Sequence, residues 1–199
     1  AREHPADADM VIGVPRGGNP IAEGFSEVSG IPYNAHGLFL NDEYFTRVFL
    51  EHSPEEREAA ADIKFIADPE IVQGQRLVVV DDSEVRGVNT RGSSKKLQQA
   101  GALEFHYRYA APEYVSSCNL GVATHDANQL IALNMTMEEQ LEHFGIDSIG
   151  HLSIPGLLSV VPNPQDYCFQ CFLREHKRKD FAAPEQVVQI VNAYRERGR

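Results

Sequence analysis

The chain has 199 residues, which is enough for one sizeable core and short for two independent domains. Its hydrophobic share of 42% and its charged share of 24% are ordinary for a globular protein. The chain has 29 acidic residues and 18 lysines and arginines, and the resulting net charge of -11 argues against a general surface for nucleic acids or anionic membranes. No apolar run approaches the roughly 18 residues of a membrane span, and no secretory signal is visible, so we expect a cytoplasmic protein.

The first predicted strand covers residues 10–14, MVIGV, and runs into a glycine-containing loop at residues 15–20. Two adjacent glycines, Gly17 and Gly18, permit a close approach of the backbone, and the helical pattern IAEGFSEVSG follows. We interpret this loop as a candidate anion site, with a plain strand-to-helix turn as the alternative. Residues 30–33, GIPY, indicate a second strand.

Residues 38–65 carry few strand signals and many charges. Within them, SPEEREAAADIKF is typical of a capped helix: Ser53 suits the N-cap, Pro54 the first helical position and Glu56 the capping box. A solvated surface helix would explain this pattern equally well.

The most informative stretch is LVVVDDSEVRGVNT, residues 77–90. Its four apolar residues predict a strand buried on both faces of a parallel sheet, and Asp81 and Asp82 follow at the end where such sheets bind ligands. A helix is expected from about Thr90 to Ala100, so the intervening loop brings backbone N–H groups to a helix N-terminus, which suits a phosphate. Two carboxylates beside it suit sugar hydroxyls, and the expected ligand is a sugar phosphate. The alternative is that Asp-Asp-Ser only caps a turn.

The remaining elements continue the alternation of strands and helices. We predict a strand at residues 103–110, a short helix at 128–133, a helix at 137–144 that leads into an edge strand, and a short helix at 154–161. From Pro184 the tail has apolar residues at helical spacing and a cationic end, as a helix would.

Three cysteines do not indicate a disulfide framework. Cys168 and Cys171 form a CxxC pair, which is compatible with zinc, iron–sulfur or redox chemistry and also with coincidence. The eight histidines show no HxxxH or HExxH spacing, and we interpret them as surface or packing residues.

The segment VVVDDSEVRG, with Thr90 three residues after its last glycine, resembles the loop with which type I phosphoribosyltransferases bind phosphoribosyl pyrophosphate (PRPP). It is most similar to amidophosphoribosyltransferases, whose pattern reads VDDSIVRGTTS. The earlier VIGVP and GNP are similar to the pyrophosphate loop of that family, with Arg16 and Gly17 in place of an acid and a serine. The similarity is collinear from Asp9 to Phe172.

The resemblance implies an α/β, type I phosphoribosyltransferase fold: a mostly parallel sheet with helices on both faces, an active-site flap at about residues 40–66 and a C-terminal helical elaboration. It divides the chain into a phosphoribosyltransferase domain, residues 1–172, and a helical tail, residues 173–199. The implied reaction is displacement of pyrophosphate from PRPP by ammonia, which gives 5-phosphoribosylamine in the first step of purine synthesis.

The resemblance also assigns roles to individual residues. Asp81 and Asp82 are expected to hold the ribose hydroxyls and Mg²⁺, while Tyr44 and Arg47 close over the substrate as catalytic residues of the flap. Two loops are expected to bind PRPP, through Arg16, Gly17, Gly18 and Asn19 at the pyrophosphate and through Ser83, Arg86, Gly87, Val88, Asn89 and Thr90 at the 5-phosphate. In the flap, Leu40 replaces a lysine of the family and Asp62 an arginine, which predicts an altered affinity or choice of substrate.

Two further expectations concern cofactors and partners. Many members of the family hold a 4Fe-4S cluster with four cysteines, and Cys118, Cys168 and Cys171 stand at three of those positions; the fourth would precede Ala1. An N-terminal glutaminase domain supplies ammonia in the family, so we expect ammonia here from an upstream domain, a partner or solution. Because the chain starts at Ala1 rather than Met, we treat it as a candidate fragment, and we expect a homo-oligomer.

Two other functions stay open on the sequence. One is a divergent phosphoribosyltransferase that uses another amine or a nucleobase as acceptor, as Arg16 and the altered flap suggest. The other is a regulatory domain that binds PRPP without turnover.

Overall fold

The computed structural model describes residues 1–41, 64–118, 120, 124 and 126–173. The capped helix predicted from Ser53 and the helical tail after residue 173 lie outside the described residues. The strands and helices are, in chain order, β1 (Met10–Gly13), α1 (Gly18–Ser29), β2 (Leu38–Leu40), β3 (Phe65–Ala67), α2 (Pro69–Val72), β4 (Arg76–Asp81), α3 (Val88–Gln99), β5 (Glu104–Tyr109), α4 (Ile131–Asn134), α5 (Met137–Phe144), β6 (Ser148–His151) and α6 (Ile154–Val160).

Four strands form a parallel sheet in the order β1-β4-β5-β6. β4 lies inside this sheet, between β1 and β5, and its residues 77–81 are all buried. The run of valines is therefore explained by burial on both faces, as the sequence predicted. Because all four strands point the same way, the loops that follow β1, β4, β5 and β6 meet at one edge of the sheet.

Helices cover both faces of the sheet, and alternate residues of β4 supply the two cores. Val78 and Val80 pack with Ala22 and Phe25 of α1 on one face. Leu77 and Val79 belong to the larger cluster on the other face, which includes residues of α3, α5 and the β2–β3 pair. The predicted α/β class, with a mostly parallel sheet and helices on both faces, is confirmed.

Most of the predicted elements are present, but four details differ, and one of them is the short helix α2, which was not predicted. Residues 30–33 do not form a strand: only Tyr33 bridges Val11, because Pro32 has no N–H group to continue the ladder. The antiparallel β2–β3 pair was not predicted, since its three-residue strands lie at the two ends of the long flap region. The predicted helix at 128–133 is a 3-10 turn, Ala127–Gln129, followed by α4. Within the described ranges, no helix is long and apolar enough to cross a bilayer.

Candidate functional site

The two acids at the end of β4 occupy different environments. Asp81 is only 4% exposed, whereas Asp82 is exposed. The backbone N–H of Asp82 donates to Oδ1 of Asp81 at 2.8 Å, and the Ser83 hydroxyl donates to Oδ1 of Asp82 at 2.8 Å. Burial raises the pKa of the Asp81 carboxyl from 3.8 to about 7, against the opposing effect of the Asp82 N–H bond. One carboxyl of the pair therefore titrates near neutral pH, as perturbed groups at functional sites often do.

The loop after these acids forms a cradle, which we define as residues 82–90. It encloses a cavity of about 190 Å³. Gly87 immediately precedes α3 with a φ of 72°, and a Cβ there would overlap the side chains of Phe144 and Ile131. Only glycine satisfies both conditions, so the entry into α3 depends on it. The first turn of α3 thus closes the cradle with its N-terminus, the geometry that suits a phosphate group.

The loop after β1 lies directly against the cradle. A Cβ on Gly17 would overlap the carboxylate of Asp82, and one on Gly18 would overlap the carbonyl of Val80. Gly18 is therefore required where the start of α1 approaches the backbone of β4, whereas Gly17 leaves room for the Asp82 carboxylate beside the loop. Arg16 is exposed at the tip of this loop, after a cis peptide bond from Pro15.

Other predicted ligands of PRPP are placed around these loops. Asn19 is half-buried in the first turn of α1, with its side-chain oxygen close to the backbone of Gly13. Arg86 is exposed, and its Nε donates to Oε1 of Gln129 at 2.7 Å. Val88 is 47% exposed at the start of α3. These positions bring every described residue of the two predicted loops to the same edge of the sheet.

Lys64, at the end of the flap region, is a candidate site residue to which the sequence assigned no role. Its Nζ donates to Oδ1 of Asn89 at 2.6 Å. Burial lowers the pKa of Lys64, while the charges of Asp81 and Asp82 oppose that change. The ammonium group is thus within electrostatic reach of both acids and of the cradle. In the sequence, Lys64 follows a segment of acids and alanines, and this pattern does not indicate which residues it contacts.

Glu84 is a second residue that sequence reasoning missed. Its carboxylate is buried and accepts hydrogen bonds from Thr90 Oγ1 at 2.9 Å and from the Tyr109 hydroxyl at 3.1 Å. Oε2 lies 3.2 Å from Nε2 of His151. Thr90 is only 2% exposed, and its hydroxyl is hydrogen-bonded to Glu84 and Tyr109. The predicted contact of this hydroxyl with the 5-phosphate stays a prediction. His151, interpreted from the sequence as a surface or packing residue, also contacts Glu84 through its ring nitrogen.

Tyr44 and Arg47, the catalytic residues predicted in the flap, lie outside the described residues. The segments with the three cysteines do approach each other, since the N–H of Val115 donates to the carbonyl of Cys171 at 2.8 Å. Burial raises the pKa of the Cys171 thiol to about 11, with smaller contributions from Cys118 and Cys168. Among the residues that the structure describes, no three His, Cys, Asp or Glu side chains are grouped so that they could hold a metal ion. The arrangement therefore gives no support to an iron–sulfur cluster.

A Mg²⁺ ion makes smaller demands on the protein. In nucleotide and pyrophosphate sites it is commonly bound by one or two carboxylates and completed by water and substrate oxygens. Asp81 and Asp82 fit this donor set, because they are adjacent acids and Asp82 lines the cavity of the cradle.

No family model matches the sequence. The chain is 42% identical over 171 residues to the amidophosphoribosyltransferase of Methanocaldococcus jannaschii, which is 86% of this chain and 36% of that protein. It is 38% identical over 188 residues to the amidophosphoribosyltransferase of Synechococcus elongatus, 94% of this chain and 37% of that protein. The chain thus spans little more than a third of the length of these curated relatives.

Solved structures agree with the sequence comparison. The glutamine PRPP amidotransferase from B. subtilis, complexed with ADP and GMP, superposes with a TM-score of 0.74 at 33% identity, over 93% of this chain and 42% of that chain. A structure described as the allosteric regulatory enzyme of purine biosynthesis also gives a TM-score of 0.74 at 33% identity, over 94% of this chain and 41% of that chain. These superpositions confirm the type I phosphoribosyltransferase fold.

Proposed function

Because this chain is homologous to one portion of the amidophosphoribosyltransferases, we propose that it transfers the phosphoribosyl group of PRPP to ammonia, which gives 5-phosphoribosylamine and pyrophosphate. The observation that carries the proposal is the meeting of two glycine-dependent loops at the Asp81–Asp82 pair. Each loop ends at a helix N-terminus, that of α3 or that of α1, so the site offers two places for phosphate groups with a carboxylate pair beside them.

The chemistry asks for orientation and charge stabilisation more than for a covalent intermediate. As pyrophosphate leaves C1 of the ribose, negative charge grows on the leaving oxygen and positive charge grows on the sugar. The amides of the cradle would hold the 5-phosphate, and the loop with Arg16, Gly17, Gly18 and Asn19 would hold the pyrophosphate. Asp81 and Asp82 would take the ribose hydroxyls and a substrate-bound Mg²⁺ ion, which supplies charge neutralisation for the leaving group.

The near-neutral pKa of Asp81 makes a prediction about binding. Hydroxyl donors and a divalent cation both favour the ionised carboxyl, because each interacts better with a carboxylate than with a carboxylic acid. Binding therefore has to remove the proton that Asp81 holds at low pH. Affinity for Mg²⁺–PRPP is expected to fall as the pH drops below about 7, the pKa of this carboxyl.

Partners and flap residues belong to the same proposal. Ammonia would come from a glutaminase domain, in cis or in trans, or from solution, and Tyr44 and Arg47 would close over the bound substrate. A cytoplasmic location, a homo-oligomeric state and the boundary of the tail at residue 173 stay predictions from the sequence.

The experiment is a measurement of pyrophosphate release with PRPP, Mg²⁺ and ammonium, beside a panel of nucleobases and primary amines. Release with ammonium that is lost in the double variant Asp81→Asn, Asp82→Asn supports the proposal. Release that depends on a nucleobase or another amine would assign a different acceptor to the same site. Tight binding of PRPP without any release of pyrophosphate would identify a sensor. No binding of PRPP at all would refute the proposal that the cradle binds its 5-phosphate.

A further inference from the structure

Glu84 is a buried acid that the proposed reaction does not use. Its side chain is 1% exposed and contacts His151, whose side chain is 8% exposed. An acid so far from water destabilises the fold unless its oxygens are hydrogen-bonded. Both oxygens are engaged here: Oε1 accepts from two hydroxyls, and Oε2 faces a histidine nitrogen.

The partners of Glu84 come from three separate elements. Thr90 is the third residue of α3, Tyr109 is the last residue of β5 and His151 is the last residue of β6. Tyr109 and His151 are opposite each other in the sheet, and their rings stack with centroids 4.8 Å apart. The carboxylate therefore joins the rigid ends of two paired strands to the first turn of α3.

This junction adjoins the phosphate cradle. Glu84 and Thr90 both line the cavity of the cradle, together with the peptide segment between them. A phosphate held by backbone N–H groups depends on the direction of those groups, because a hydrogen bond weakens steeply when its angle falls. Fixing residues 84 and 90 to one carboxylate limits how far the loop between them can turn.

We propose that Glu84 is a positioning residue for the phosphate cradle. It fixes the first turn of α3 through the Thr90 hydroxyl, and Tyr109 and His151 hold the carboxylate in place from the sheet. The inference deepens the proposed function, since it presumes that the cradle takes the 5-phosphate of a ribose. It also gives the Thr90 hydroxyl a structural partner.

The structure offers a matched pair of variants that separates positioning from stability. Tyr107 and Tyr109 are both buried tyrosines of β5 whose hydroxyls bond a hydroxyl of α3, at 2.7 Å in each case, with Ser93 and Thr90 respectively. Only the Tyr109 hydroxyl also reaches Glu84. Both Tyr109→Phe and Tyr107→Phe should lower the melting temperature, the first somewhat more because its hydroxyl has the additional bond to Glu84, but only Tyr109→Phe should loosen the cradle.

The test is calorimetric binding of ribose 5-phosphate to the whole chain, followed by the kinetics of pyrophosphate release. We expect Tyr109→Phe to weaken binding about threefold and Glu84→Ala about tenfold, because net hydrogen bonds are worth roughly 0.5–1.5 kcal/mol each. Tyr107→Phe should stay within about 1.5-fold of the parent chain, on the same scale. Glu84→Gln keeps an acceptor oxygen for both hydroxyls and should retain most of the affinity. KM for PRPP should rise by the same factors while kcat changes little, since the bond to the 5-phosphate is made in both ground and transition states.

Equal binding by Tyr109→Phe and Tyr107→Phe would overturn the inference, and so would Glu84→Gln binding as weakly as Glu84→Ala. If the parent chain itself binds neither ribose 5-phosphate nor PRPP, the proposed function fails first and the inference with it. The two failures are therefore distinguishable by the behaviour of the parent chain.

Discussion

Replacing Asp81 by asparagine is expected to stabilise the protein while it removes activity. The carboxyl is 4% exposed, and burial raises its pKa from 3.8 to about 7. At about 1.4 kcal/mol for each pH unit, this difference corresponds to roughly 4 kcal/mol between the folded and unfolded chains. Asparagine keeps the oxygen that accepts the N–H of Asp82 and carries no charge to bury. We therefore expect the free energy of unfolding to rise by about 2–4 kcal/mol at pH 8.

The sign of the pH dependence follows from which state holds the proton. Below pH 4 the carboxyl of Asp81 is protonated in both states, so the variant and the parent chain should be equally stable. Between pH 4 and 7 the unfolded chain releases its proton and the folded chain keeps it, so the parent loses stability relative to Asp81→Asn. Above pH 7 both states are ionised, and the difference should stay constant at its maximum.

The assay is urea unfolding of both proteins at several pH values from 4 to 8, with Asp82→Asn as the control. Asp82 is exposed, so its replacement should change the free energy of unfolding by no more than about 0.5 kcal/mol at any pH. Pyrophosphate release should be lost in both variants. An Asp81→Asn protein that is no more stable than the parent at pH 8, or a stability difference that does not vary with pH, would refute the reasoning.

Three smaller changes test the loops and Lys64. Gly87→Ala and Gly74→Ala both place a side chain at a φ above 70°, but only at Gly87 does the Cβ also overlap its neighbours. Gly87→Ala should therefore lower the free energy of unfolding in urea by about 1–3 kcal/mol more than Gly74→Ala does. Equal losses would contradict the packing argument. Gly17 has a φ of -63°, so the Gly17→Ala protein should fold normally. The added Cβ would displace the carboxylate of Asp82, and pyrophosphate release should fall about tenfold or more. Unchanged release would show that the position of this carboxylate does not matter for the reaction. Lys64→Met removes a cation from beside both acids, and calorimetry should show that the variant binds PRPP about tenfold more weakly. Equal affinity would show that Lys64 does not contribute to binding.

The outline of the fold could be predicted, and a candidate site proposed within it, because both depend on contiguous sequence. The strand, the acids, the loop and the helix of residues 76–99 follow one another without interruption, and the alternation of strands with helices repeats along the chain. Local patterns of burial and helix capping are sufficient for such units. The resemblance to amidophosphoribosyltransferases, confirmed by the comparisons, rests on the same contiguous motifs.

The predictions failed or said nothing where pairing joins distant residues. GIPY suggested a strand by its composition, but Pro32 limits it to one bridge, and β2 and β3 pair across the flap region with three residues each. Short strands carry too few residues for a period-2 pattern to show. Lys64 could not be assigned a partner from the sequence, because the residue that it bonds, Asn89 in the cradle, is 25 residues away.

The amino-acid sequence by itself determined that a carboxylate pair and a loop that leads into a helix stand at the end of a buried strand, because these features are built from neighbours in the chain. Only the tertiary structure decided that burial raises the pKa of Asp81 to about 7 and that Glu84 is shared by Thr90, Tyr109 and His151. Burial and side-chain pairing depend on contacts between distant parts of the chain, and His151 is 67 residues away from Glu84.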